Sequence, residues 1–195
     1  MTHVLVVPGL FGSADGHWQR HWLQDRPDSS LVEQADWDRP VLSEWLGKLE
    51  ADIAAVGEAY IVAHSLGCVL TAHLADRPSA VRIKGALLVA TCDLAPTERL
   101  HPGHVSFGPM PTRRLPFPTT MIGSLDDPYM DLDRLTLFSR LWGSDLRNIG
   151  QAGHINIASG YGRWTGGYTA FETLRKKAAH LDKVPRRRTG LAIHA

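Results

Sequence analysis

Residues 60–73 read Tyr60-Ile-Val-Ala-His-Ser-Leu-Gly-Cys-Val-Leu-Thr-Ala-His73: an apolar run, a bend of small residues, then a helical pattern. That order is a buried strand, a sharp elbow and a helix, and it pushes the hydroxyl of Ser65 out at the bend. The core of the stretch, Ala63-His64-Ser65-Leu66-Gly67, fits a nucleophile elbow with alanine in the first small position. The tight turn brings strand and helix backbones together, so a large side chain at 63 or 67 would clash. The competing reading of Ser65 is a plain cap on the helix that follows.

A chain of 195 residues is long enough to bury a core without staples, and it is read as one domain over 1–183. The last residues, 184–195, contain Arg186-Arg187-Arg188 and read as a basic, flexible tail. A formal net charge of +1 gives no global field toward nucleic acid or an anionic membrane, and no apolar run reaches spanning length. Cys68 and Cys92 sit in apolar segments without metal-ligand spacing and read as reduced core residues. No export segment is recognisable, so the cytoplasm is the expected compartment.

Strand-like runs at 3–8, 31–37, 60–64, 82–91, 119–123 and 146–151 alternate with helical patterns at 15–22, 42–56, 66–73 and 132–142. A Gly-rich loop through Gly167 precedes a final helix to about Leu181, and the proline-rich 93–117 reads as irregular. Such alternation predicts an α/β fold of about six mostly parallel strands, with helices on both faces and no large cap domain. Functional groups then gather at the carboxyl ends of the strands, in loops 9–14, 64–66, 124–130 and 152–160.

Each of those loops holds useful chemistry. A serine is a poor nucleophile unless a base takes its proton, and His154, in a small-residue loop after the last strand, is the candidate. His64 adjoins the serine, but neighbours on a strand point apart. The imidazole needs a carboxylate; Asp126 and Asp127 both offer one, and Asp127, held extended by Pro128, is favoured. Backbone N–H groups of Leu66, at a helix start, and Leu10, with Phe11 as second choice, would meet an oxyanion. The order Ser65, Asp127, His154 is that of an α/β-hydrolase triad.

The chain also resembles the small serine hydrolases of the retinoblastoma-binding-protein-9 and YdeN type, most of all their bacterial members. The resemblance rests on Pro8-Gly9, His17-Trp18 with Trp22, Ala63 through Gly67, Leu115-Pro-Phe-Pro118, Asp126-Asp127-Pro128-Tyr129, Trp142-Gly143, and Gly153-His154-Ile155-Asn156 continuing to Trp164. It implies an α/β-hydrolase fold, a triad at Ser65, Asp127 and His154, and esterase-like activity without a cofactor. Thr165-Gly166-Gly167 departs from the family pattern. A retinoblastoma-binding role does not follow, because Leu-x-Cys-x-Glu is absent; Leu66-Gly-Cys68-Val-Leu70 lacks the glutamate.

The expected substrate is a small acyl ester held in a shallow, open site bordered by Phe11, Phe107, Tyr129 and Trp164. A metal hydrolase is the weaker rival: His17 and His21 are four apart, but Trp18 stands where a zinc-hydrolase helix has glutamate. A second rival is a hydrolase-fold interaction module with vestigial chemistry. Ester, thioester and amide are not separable by residues alone, and oligomeric state is left open.

Overall fold

β-branched and leucine-rich runs buried on both sides make the centre of a parallel sheet. The computed structural model, which describes residues 2–183, contains four such strands: β1 (His3–Val7), β3 (Ala59–His64), β4 (Ile83–Val89) and β5 (Thr119–Gly123). Shorter strands close the two edges, β2 (Ser29–Leu31) and β6 (Asp145–Asn148), giving the order β2-β1-β3-β4-β5-β6. Every pairing is parallel. The segment 184–195, expected to be a tail, lies outside the described residues.

Alternation along the strands divides the core in two. Leu5, Val7, Ile61, Ala63, Leu88 and Met121 face helices α2 (Leu42–Val56), α3 (Leu66–Ala72) and α5 (Leu132–Trp142). Val4, Val6, Tyr60, Val62, Leu87 and Ile122 face α1 (Trp18–Asp25) and α6 (Thr165–Lys183). On that second face Trp18, Trp22 and Phe171 form an edge-to-face ladder, Trp18–Trp22 at 6.3 Å and Trp22–Phe171 at 5.1 Å between centroids.

Five elements depart from the sequence expectation by three residues or more. Helix α1 starts at Trp18 rather than residue 15, because the His17 side chain caps it by accepting from the Gln19 N–H. The second strand ends at Leu31; beyond the Val32 N–H, which still donates to Val6, the chain peels away so that Trp37 packs on Trp45. Residues 93–117 are not wholly irregular: α4 (Leu94–Leu100) forms there, its first turn capped by the Asp93 carboxylate accepting from the Ala95 N–H. Pro96 is tolerated because first-turn N–H groups have no intrahelical partner. The last strand stops at Asn148, whose side chain accepts from the Gly150 N–H and turns the chain. Finally, α6 begins before Gly166 and Gly167, because the Trp164 ring lies over both; a Cβ would come within 2.6 Å and 2.8 Å of it.

The decisive contact for the site lies between the end of β1 and the start of α3. A Cβ on Gly67 would stand 2.3 Å from the Val7 carbonyl oxygen and 2.4 Å from that of Pro8. A Cβ on Gly9 would stand 2.7 Å from Cβ of Ser65 and 2.9 Å from the Leu66 nitrogen. Both obstacles are backbone or a short fixed side chain, which cannot swing aside. Gly67→Ala is therefore expected to destabilise the fold by about 3 kcal/mol or to prevent its accumulation, measured by urea unfolding beside Gly47→Ala, whose Cβ would meet nothing within 4 Å.

Candidate functional site

Ser65, immediately after β3, has φ 55° and ψ −123°, a conformation an L-residue adopts only when its surroundings compel it. Phe11, Ala90 and Ile155 also have positive φ, and all four lie in turns at the carboxyl edge of the sheet. Strain is thus concentrated where the loops converge. Ser65 occupies the cap position of α3, yet its side chain makes no capping hydrogen bond. Its Oγ lies 2.9 Å from Nε2 of His154, against the helix-cap reading.

The other face of the same imidazole is held as firmly. Nδ1 of His154 lies 2.9 Å from each carboxylate oxygen of Asp127. An ionised carboxylate only accepts, so Nδ1 carries the proton and Nε2 presents its lone pair to the serine hydroxyl. Asp127 is itself aimed by the Tyr129 N–H, which donates to Oδ1 at 2.9 Å. Its side chain is 2% exposed, so the charge acts with little screening. The Tyr129 ring packs on the imidazole at 4.3 Å and stacks on His101, 2.9 Å from its hydroxyl.

Asp126, the alternative carboxylate for the imidazole on sequence grounds, does a different job. Its Oδ1 accepts from the backbone N–H groups of Ala152 and Gly153, both at 2.8 Å, and from the Ser124 hydroxyl at 2.7 Å. The Ser124 hydroxyl and these N–H groups hold its carboxyl below the usual range. One carboxylate of the pair therefore fixes the backbone that carries His154, and the other meets its ring.

Helix α1 braces the loops from beneath. The Trp18 indole N–H donates to the Ile155 carbonyl at 2.9 Å. Buried Gln19 donates to the carbonyls of Val7 and Val62 at 3.2 Å and accepts from the Ser13 hydroxyl at 2.6 Å. His64 donates from Nε2 to the His154 carbonyl at 2.9 Å and does not hydrogen-bond the serine.

Around Ser65 opens a cavity of about 340 Å³, within the range of small-molecule sites. Leu10, Phe11 and Tyr129 line it, together with His17, Thr97 and His101, which the sequence did not mark as pocket residues. Thr97 and His101 went unmarked because they depend on the unforeseen α4. Two expected border residues are elsewhere. Phe107 is buried against Trp45 and His73, and Trp164 packs on Trp18 and Tyr161; neither lines the cavity. Both were chosen as aromatics near loops, but each finds an apolar partner in the core.

The Phe11 N–H donates to Trp37, which removes it as a free donor, whereas among the described residues the Leu10 and Leu66 N–H groups have no protein acceptor. Burial pushes the Cys92 thiol up to about 12 and raises that of Cys68 further, so neither is a competing nucleophile. Among the described residues, no three His, Cys, Asp or Glu side chains converge on a point where an ion could be held. Nor is any helix there long and apolar enough to cross a membrane.

A family model described as serine hydrolase matches residues 4–173. The chain belongs to that serine hydrolase family. Among solved structures, this serine hydrolase is similar to a protein from Pectobacterium atrosepticum assigned as a YdeN-like hydrolase, at 26% identity and a TM-score of 0.79, over 91% of this chain and 92% of the other. The ydeN gene product of B. subtilis shares the fold at 20% identity and a TM-score of 0.70, over 90% and 100% of the two chains. So does an alpha/beta-superfamily protein from Xanthomonas campestris, at 14% identity and 0.66, over 91% and 99%. No curated protein matches the sequence. The YdeN-type resemblance and the α/β-hydrolase fold read from the residues are thereby shown.

Burial also sets how this serine hydrolase responds to acid. Desolvation, then the nearby His154 and Arg20, lower His17 from 6.5 to about 4; desolvation first, then His154 and His17, lower His64 well below 6.5. Below about pH 6.5 the unfolded chain therefore binds protons that the folded chain refuses. The stability these groups contribute is complete above that pH and is lost as pH falls from it through the folded value. Each contributes a slope of up to about 1.4 kcal/mol per pH unit. Urea titrations between pH 7.5 and 4.5 should show this decline, and His17→Asn should make it shallower.

Proposed function

We propose that the protein is a serine carboxylesterase that cleaves small acyl esters through Ser65, His154 and Asp127. The observation that carries this reading is the pair of contacts on one imidazole: Nε2 2.9 Å from Ser65 Oγ, and Nδ1 2.9 Å from both oxygens of Asp127. As Oγ attacks the acyl carbon, its proton passes to Nε2, and the buried Asp127 carboxylate stabilises the imidazolium. The carbonyl oxygen becomes an oxyanion and is met by the N–H groups of Leu10 and Leu66, a reading supported by their lack of a protein acceptor among the described residues and by the close approach of Gly9 to the Leu66 nitrogen. His154 then returns the proton to the departing alkoxide, leaving Ser65 acylated. Water, activated by the same imidazole, attacks the acyl-enzyme, releasing the acid and restoring Ser65.

Ester is favoured over amide because the alkoxide demands less help in leaving. The modest cavity and its half-exposed Phe11 suit short acyl groups. No cofactor enters any step.

A fluorophosphonate probe should label the wild type, and labelling should vanish in Ser65→Ala together with about 10⁶ of the turnover on p-nitrophenyl acetate. Folded wild-type protein that takes no label would instead favour an interaction module. The two aspartates should separate: Asp127→Asn lowers kcat by about 10⁴ through loss of the tautomer. Asp126→Ala leaves the proton relay chemically complete but frees its loop, lowering kcat by about 10². Equal losses in the two variants would contradict the division of labour assigned to them.

A further inference from the structure

Two histidines beside the serine are in defined and opposite hydrogen-bonding states. Nδ1 of His17 accepts the Gln19 N–H at the start of α1, so its proton is on Nε2. That Nε2–H is buried and has no partner. His64 is the reverse: Nε2 donates to the His154 carbonyl, so Nδ1 is a bare acceptor, with no partner among the described residues. Burial keeps both rings neutral at pH 7. They meet edge-on at 4.9 Å between centroids, and both line the cavity that contains Ser65.

A buried donor without an acceptor calls for an explanation. A carbonyl or ether oxygen would answer His17 alone. A hydroxyl, which accepts once and donates once, answers both rings together. We propose that His17 and His64 form a hydroxyl-reading subsite, so that the preferred esters carry a hydroxyl close to the scissile carbonyl. This rests on Ser65 acting as the esterase nucleophile. It goes further in naming the substrate class: hydroxylated short esters, with the hydroxyl on either the acyl or the alcohol part.

Matched esters distinguish the two sources. Ethyl lactate against ethyl propanoate, and ethyl 3-hydroxybutanoate against ethyl butanoate, test the acyl side; 2-hydroxyethyl acetate against propyl acetate tests the alcohol side. The wild type should prefer the hydroxylated member of at least one pair by about tenfold or more in kcat/KM, because a site built for a polar group penalises its absence. His17→Asn retains a cap for α1 through its amide oxygen but cannot extend a donor to the position of Nε2. Its ratio for the same pair should fall toward one, with folding checked by urea unfolding. Ratios near one for every pair, in a wild type that is labelled at Ser65 and cleaves the plain esters, would overturn the subsite alone; a water held between the rings gives that result. A preference that survives in folded His17→Asn also overturns it. Absence of both labelling and cleavage overturns the esterase reading and the subsite with it.

Discussion

The contact between the end of β1 and the first turn of α3 sets the position of Ser65 and of the backbone beside it. Two backbones meet there with no space for a Cβ on either glycine: 2.3 Å to the Val7 oxygen from position 67, and 2.7 Å to Cβ of Ser65 from position 9. Because the chains are that close, the strand cannot run smoothly into the helix, and Ser65 takes the positive φ of 55°. The same proximity sets the loop after β1 beside the start of α3, where helix geometry leaves N–H groups unpaired. The bend that turns out the Ser65 hydroxyl and the pair of N–H groups beside it are thus two results of one steric arrangement.

Around that contact the polar groups divide their work. Asp127 meets a ring nitrogen and Asp126 meets main-chain nitrogens, although the two are adjacent and chemically identical. The difference arises from direction: the turn closed by the Tyr129 N–H points one carboxylate inward, while the Ser124 hydroxyl holds the other along the 152–153 backbone. The histidines divide likewise. His154 lies between a carboxylate and a hydroxyl, whereas His17 and His64 are enclosed by rings and carbonyls and held neutral.

Much of this was legible in the residues, and the exceptions share a cause. Helix α2, strand β5 and helix α5 coincide with their sequence limits because each has clear periodicity and an unambiguous stop, such as Gly57 or the left-handed Gly143. Ser65, Asp127 and His154 could be named because strand ends converge in a parallel sheet. Helix α4 was missed because four prolines after it obscured a short capped turn, and α6 was started late because glycines usually mark loops; here an aromatic ring required them. Phe107 and Trp164 were misassigned because sequence shows that an aromatic is near a loop but not which neighbour it packs against. The task of Asp126 depends on amides some 26 residues downstream, and no local pattern records such a partner.

The bracing by α1 has a consequence for how the site can fail. One eight-residue helix holds the carbonyls of β1 and β3 through Gln19 and the loop after β6 through Trp18. Sequence-distant parts of the candidate site therefore share one brace. Loosening it frees them together: undocking of this helix releases the ends of β1 and β3 and the loop after β6 in one event.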